Sequence, residues 1–341
     1  TPASMRLLQE LVTEPVKPWD AVVCSSNAGK AVVEKVMQDR EEQLFNRLHI
    51  DDCKVVDRPY LPVIPLPIAT KQIRNELPEK QSARKELGLD LNSHVVLWLG
   101  RLSMLTKSDP WPTYVALQKA ALALNKTLIL IECGPDDSAP QANHFHELRS
   151  LCPDVQFVRF GGVEPVSDET KFQCLAAADI AISLVDNTQE TFGLSVAEAM
   201  ASGLPVVASN WNGYRDLVRD GIDGFLIPTK WSLLAQDCSI RLGWGGSLGV
   251  INYPMAAGCL AQLLQIDLSA AVAAIVALLT DPIMMRAMGD AARIRAESEF
   301  SYEVVMNNYL DLFELLQERR KAASKISFQP EKTSITINPV N

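Results

Sequence analysis

The chain has 341 residues, of which 48% are hydrophobic and 21% charged, and a formal net charge of −9. This length accommodates about two domains with a sizeable core. The acidic balance excludes a surface that tracks nucleic-acid phosphates, which would be basic, and no apolar run reaches the roughly 18 residues of a membrane span. In chain order, residues 5–11 read as a helix, 21–25 as a strand and 28–46 as a helix, followed by the proline-punctuated segment 59–67. One strand cannot make an independent sheet.

From about residue 85 the pattern changes. Apolar runs alternate with helical stretches, the signal of a parallel sheet assembled from strand–helix–strand units. The predicted strands are 94–100, 127–133, 155–160, 179–184, 205–209 and 224–227. Helices are predicted at 112–124, 143–151, 169–177, 196–201 and 213–219. The segment 230–264 has no clear period and reads as a long insertion. Helical periodicity resumes at 266–279 and 283–298, broken at Asp281–Pro282. An amphipathic helix follows at 302–321, and 326–341 forms a tail without a pattern. The fold class expected is α/β: a Rossmann-like parallel sheet of about six strands flanked by helices.

The seven cysteines (24, 53, 133, 152, 174, 238 and 259) are scattered without paired spacing. Several lie in apolar runs, which predicts reduced, buried thiols and a cytoplasmic protein. His144 and His146 have no cysteine pair nearby, so no metal site is predicted. No Asp-x-Asp occurs, and no Gly-x-Gly-x-x-Gly follows a strand, so neither a divalent ion nor a nicotinamide cofactor is expected.

The most informative stretch is Glu190-Thr-Phe-Gly-Leu-Ser-Val-Ala-Glu198. Two carboxylates stand with seven residues between them, just after a predicted strand and at the start of a small-residue helix. An ionised carboxylate accepts two hydroxyl donors at once, so such a pair suits a sugar and a ribose. Phe192, Gly193 and Leu194 fall where the loop turns into the helix, and their amides are free to face an anion. Leu194, Ala197, Met200 and Ala201 are expected to pack inward. Thr191 and Ser195 offer further hydroxyls, Ser195 equally as a first-turn cap. Gly100 and Arg101 end the first long strand, with Lys107 six residues on. Fixed cations there would neutralise a diphosphate. Gly134, Gly161 and Gly162 end the next two strands, where backbone groups meet a nucleotide or simply turn. Gly203 is expected as a left-handed helix end, and Asn212–Gly213 lies at a strand end that either lines the pocket or does not.

These motifs resemble the family-4 glycosyltransferases, which are retaining enzymes of the two-domain GT-B fold. The resemblance covers roughly residues 20–321 and is most specific between Val96 and Pro228. It implies that Arg101 and Lys107 hold the diphosphate, Glu190 the donor sugar and Glu198 the ribose hydroxyls, with Arg101, Lys107 and Glu190 as the catalytic set. It further implies a nucleotide sugar (UDP-, GDP- or ADP-linked) as donor, a carbohydrate or lipid-linked acceptor, and no metal. On this reading residues 1–75 are a remnant of the acceptor domain with a linker, 76–290 the donor domain, and 291–325 crossover helices. Pro67 replaces the family's usual linker glycine, the 230–264 insertion is extra, and the acceptor-side motifs have no match. The expected activity is metal-independent transfer of a sugar to a hydroxyl, possessed by this chain or by a longer protein of which it is a fragment. The alternatives are a nucleotide-sugar epimerase of the same fold and a non-catalytic nucleotide-sugar-binding scaffold.

Overall fold

The structure, a computed structural model, describes residues 2–49 and 57–325. The predicted tail 326–341 and Cys53 lie outside the described residues. Helix α1 (Pro2–Glu10) packs on α2 (Asn27–Leu48). The Ser26 hydroxyl caps α2 by accepting the Gly29 amide at 3.1 Å, which satisfies one of the donors that every helix start leaves open. The strand predicted at 21–25 is not a strand. Its residues make two isolated parallel bridges, Ala21 to Tyr60 and Cys24 to Val63; the prolines on the partner segment donate no amide, so no continuous ladder forms. Val12, Cys24, Val33, Met37 and Leu61 close a small core beneath them.

Two short helices missed in the sequence follow, α3 (Thr70–Glu76) and α4 (Lys80–Glu86). Arg84 of α4 is buried and donates to Asp179 at 2.9 Å and to three backbone carbonyls, which fastens α4 to the sheet. The sheet then alternates with helices: β1 (His94–Leu99), α5 (Pro110–Leu124), β2 (Leu128–Cys133), α6 (Ala139–Arg149), β3 (Val155–Phe160), α7 (Asp168–Ala177), β4 (Ile180–Ser183), α8 (Leu194–Ala201), β5 (Val206–Ser209), α9 (Tyr214–Leu217) and β6 (Gly224–Ile227). All pairings are parallel and the strand order is β3-β2-β1-β4-β5-β6. Each of the six predicted strands is therefore present.

Successive strand residues point to opposite faces, and both faces are covered. Val95, Leu97, Ile129 and Ile131 join α7, α8 and the later helix α13 in one core. Val96, Trp98, Leu128 and Leu130 join α5 and α12 in the other. Near-continuous Val/Ile/Leu runs are what strands buried on both sides require.

The segment predicted as an aperiodic insertion is ordered. Strands β7 (Thr229–Trp231) and β8 (Leu264–Ile266) pair antiparallel at its base, and helices α10 (Ala235–Ser247) and α11 (Tyr253–Ala261) form its body. Glycines at 243, 245 and 246 blur the helical period of α10. Helices α12 (Leu268–Thr280), α13 (Pro282–Glu299) and α14 (Tyr302–Lys325) complete the described chain. Asp281 ends α12 and caps α13, accepting the Ile283 and Met284 amides at 3.0 Å. Helix α14 returns to the N-terminal segment: Val305 and Leu312 pack with Ile64, and the Arg319 guanidinium lies 4.5 Å over the Tyr60 ring. No single helix among the described residues is long and apolar enough to cross a membrane; the bent pair α12–α13 has the length and composition but folds through 104°.

Candidate functional site

The strand order reverses direction at β1 and β4: the chain builds outward from β1 through β2 to β3, then resumes on the other side with β4. The loops leaving two such neighbouring strands diverge and open a crevice at the carboxyl edge of the sheet, the usual ligand position in open α/β sheets. A cavity of about 420 Å³ lies there. Its walls include Gly100, Arg101 and Lys107 from the loop after β1 and Gly134 after β2. Glu190, Thr191, Phe192, Gly193, Leu194, Ser195 and Glu198 come from the loop after β4 and the start of α8. The donor-site residues singled out in the sequence thus converge, except Gly161 and Gly162; Gly203, Asn212 and Gly213 also lie outside this wall.

Close backbone packing explains two of the glycines. Gly134 (φ 151°) stands so near the Gly100 carbonyl that a Cβ would collide with it. Gly193 (φ 111°) is the N-cap of α8, and a Cβ there would strike the Tyr214 ring. A left-handed φ is accessible to glycine without steric penalty. The turn lets the chain leave β4, present Glu190, and enter a helix whose first amides face the cavity. Ala197 is the first residue to bond back, to the Gly193 carbonyl at 3.0 Å, so the preceding amides are open to an anion. Ser195 makes no capping bond; the N-cap is Gly193. Leu194 was expected to pack inward, yet it is half exposed, because the first turn projects it toward the cavity; Ala197, Met200 and Ala201 are buried as expected. Gly203 takes the expected left-handed φ of 86° after α8.

The charges are paired across the cavity. Lys107 Nζ lies 3.0 Å from Glu190 Oε2. Arg101 donates to Asp137 at 3.1 Å and to the Thr106 hydroxyl at 3.0 Å. The loop carrying both cations is braced internally, with the Lys107 and Ser108 amides bonding the Ser103 carbonyl at 3.0 and 2.9 Å. Glu198 has a partner that the sequence reading missed: Lys171 of α7, 3.1 Å away, which also lies 3.2 Å from Asp168 and lines the cavity. Burial disfavours the Lys171 charge, but Glu198 and Asp168 outweigh it and hold its pKa above the ordinary value. Lys171 belongs to none of the motifs read in the sequence, so only its position in the helix after β3 could have flagged it. Each predicted carboxylate therefore carries its own lysine.

Below the cavity the loop from β4 to α8 is anchored by buried polar groups. Asp186 is buried, accepts the Asp109 amide at 3.2 Å, and leaves Oδ1 without a partner. Burial pushes its pKa up to about 7. Asn187 donates to the Leu105 carbonyl at 3.2 Å and accepts the Gln189 amide at 2.7 Å, tying the β4 loop to the β1 loop. Tyr214 is fully buried and shares a 2.7 Å hydrogen bond with Ser183; burial raises its pKa, so the phenol stays neutral. The segment 245–249 has Gly-x-Ser-x-Gly spacing, but it spans the end of α10 instead of a strand-to-helix turn, so it is no nucleophile elbow. Among the described residues no group of three or more His, Cys, Asp or Glu is placed to hold a metal ion.

Sheet order, covered faces and a crevice at the β1/β4 edge define a doubly wound, Rossmann-like α/β domain. Comparison with known proteins agrees. Residues 93–239 match the family model described as glycosyl transferases group 1. D-inositol 3-phosphate glycosyltransferase 2 of Catenulispora acidiphila is 33% identical over 157 residues, covering 44% of this chain and 35% of that protein. The match thus spans about a third of such relatives. Among solved structures, sucrose-phosphate synthase from Thermosynechococcus elongatus superposes with a TM-score of 0.54 at 20% identity, covering 95% of this chain and 63% of that one. The Anabaena protein HepE in complex with UDP-glucose superposes with a TM-score of 0.51 at 18% identity, covering 96% and 68%. At these identities the superpositions show the fold.

Proposed function

We propose that this chain carries the nucleotide-sugar site of a retaining, metal-independent glycosyltransferase. The observation that carries the reading is the crevice between the β1 and β4 loops, where Arg101, Lys107, Glu190, Glu198 and the open start of α8 face one cavity. A nucleoside-diphosphate sugar has a matching order of groups. Its ribose meets Glu198, its diphosphate meets Arg101, Lys107 and the α8 amides, and its sugar hydroxyls meet Glu190. The glycosyltransferase relatives and the UDP-glucose bound by HepE support that donor class.

In the reaction the bond between the anomeric carbon and the phosphate oxygen breaks, and the electron pair leaves on the diphosphate. The acceptor oxygen bonds the anomeric carbon from the same face, and its proton passes to the departing diphosphate. Arg101 and Lys107 stabilise the charge that grows there, the type of contribution that is usually the largest. An ammonium has three donors, so Lys107 keeps Glu190 while reaching a phosphate oxygen. Glu190 orients the sugar; Lys171 positions Glu198.

The test is calorimetric titration with UDP, GDP, ADP and dTDP. One nucleoside diphosphate is expected to bind to the wild type and to bind weakly to Glu198→Gln and Arg101→Ala. Equal binding by all three proteins would show that the pocket is assigned wrongly. Activity is then followed as release of that diphosphate from its sugar conjugate, with retained anomeric configuration in the product.

A further inference from the structure

One face of the insertion, with Tyr253, Ala256 and Leu260 of α11, borders a second cavity of about 1360 Å³. Thr191 lines both cavities, so the loop carrying Glu190 separates them. The opposite face of α11 meets the donor site. Side chains three or four positions apart share a helix face, and Ala257, Gly258 and Ala261 turn away from the second cavity and are buried. Gly258 packs on Leu105, in the turn that carries Arg101 and Lys107. A Cβ at 258 would stand 2.6 Å from Leu105 Cδ2 and 3.2 Å from Leu105 Cα. The methyl could swing aside, but the Cα is backbone, so the turn itself would have to give.

Leu105 is held from its other side as well. Its carbonyl accepts the Asn187 side-chain amide at 3.2 Å. The Asn187 carbonyl accepts the Trp211 indole N–H at 3.2 Å, and the Trp211 ring meets Trp231 of β7 edge-on, with centroids 5.2 Å apart. This path leaves the insertion at Gly258 and returns to it at Trp231, so Leu105 sits inside a closed ring of contacts. Asn187 and Trp211 are buried, and close-packed groups of this kind pass a displacement on instead of absorbing it. Both cations hang from residues next to Leu105: the Thr106 hydroxyl accepts Arg101 at 3.0 Å, and Lys107 reaches Glu190 at 3.0 Å.

We infer that the insertion is a positioning element for the anion site: Gly258 seats Leu105 and thereby sets where Arg101 and Lys107 stand. That the anion is the diphosphate of a nucleotide sugar rests on the transferase reading. Neither Gly258 nor Leu105 lines the donor cavity; they act through the turn between them and the cations.

The test compares Gly258→Ala, Leu105→Ala and the double variant with the wild type, each as the whole 341-residue chain. One readout is hydrogen exchange at the Lys107 and Ser108 amides, which bond the Ser103 carbonyl. The other is calorimetric titration with inorganic pyrophosphate and with UDP, GDP, ADP and dTDP. Gly258→Ala pushes the turn and Leu105→Ala leaves it loose, so each should speed exchange and weaken the anions about tenfold, because small misplacements of charged groups are costly. In the double variant the added methyl occupies space that the leucine vacates, and binding should return to within about twofold of the wild type. A merely structural role predicts losses that add, with no recovery. The inference is overturned if either single variant leaves exchange and anion affinity unchanged, or if the losses add in the double variant. Pyrophosphate binding that follows this pattern, with no nucleoside diphosphate bound more tightly, upholds the positioning role and sinks the transferase reading. A nucleoside diphosphate whose affinity ignores both single variants sinks the positioning role alone, and a wild type that binds neither probe sinks both.

Discussion

The two cavities share a loop and little else. The first is built on the edge of a doubly covered parallel sheet, and its wall carries Arg101, Lys107, Lys171, Glu190 and Glu198, with every one of these charges paired. The second is formed where an N-terminal segment with no sheet of its own meets an insertion, and it is essentially uncharged. Charged ligands need preorganised counter-charges, and these are held to fractions of an ångström only on rigid elements. Apolar ligands ask mainly for volume and dryness. The two cavities thus differ in charge, and the boundary between them is the segment from Asp186 to Thr191.

That boundary is where the comparison breaks most easily. In the native state Asp186 keeps its proton up to about pH 7, whereas in the unfolded chain it ionises near its ordinary value of 3.8. Between those values the folded state binds the extra proton, so stability falls as pH rises through this window, by about 1.4 kcal/mol per unit. Asp186→Asn should remove that slope and stabilise the protein at pH 8 by roughly 2–4 kcal/mol, measured by urea unfolding at pH 4 and pH 8; an unchanged slope would refute the buried-carboxyl account. Gly134→Ala drives a Cβ into the Gly100 carbonyl and should cost about 1–3 kcal/mol of stability. Binding of the nucleoside diphosphate should drop with it, because the β1 and β2 loops can no longer sit together.

Smaller effects sharpen the contrast. Glu198→Gln should weaken the bound nucleoside diphosphate by about 1–3 kcal/mol, the range for a charge-assisted hydrogen bond. Lys171→Ala should weaken the same nucleotide by roughly 1 kcal/mol, since a partly exposed pair is screened. Its penalty should shrink for the 2′-deoxy form of that nucleotide, where Glu198 has one hydroxyl fewer to hold; an equal penalty for both forms would mean that Lys171 acts on something other than Glu198's hold on the ribose.

Much of the first region was legible in the chain. Six apolar runs became the six strands because burial on both faces demands unbroken Val, Ile and Leu. Glu190, Gly193 and Glu198 fell into one cavity because a glycine turn and a helix fix their spacing locally. Lys171 escaped, since its pairing with Glu198 joins α7 to α8 across 27 positions and no local pattern encodes that. The strand expected at 21–25 failed because a strand is completed by its partner, and the partner here is rich in proline. The 230–264 segment looked aperiodic, yet β7 and β8 close its ends and let α10 and α11 form.

Sequence by itself determined the periodic elements, the glycine turn and the spacing of the carboxylates, because these depend on backbone dihedrals and near neighbours. Tertiary structure alone decided which lysine meets which carboxylate, and where Leu194 points. It also decided that a neutral cavity stands behind the Glu190 loop. Those outcomes depend on which distant segments pack together, and packing is settled by the whole core instead of by any local run.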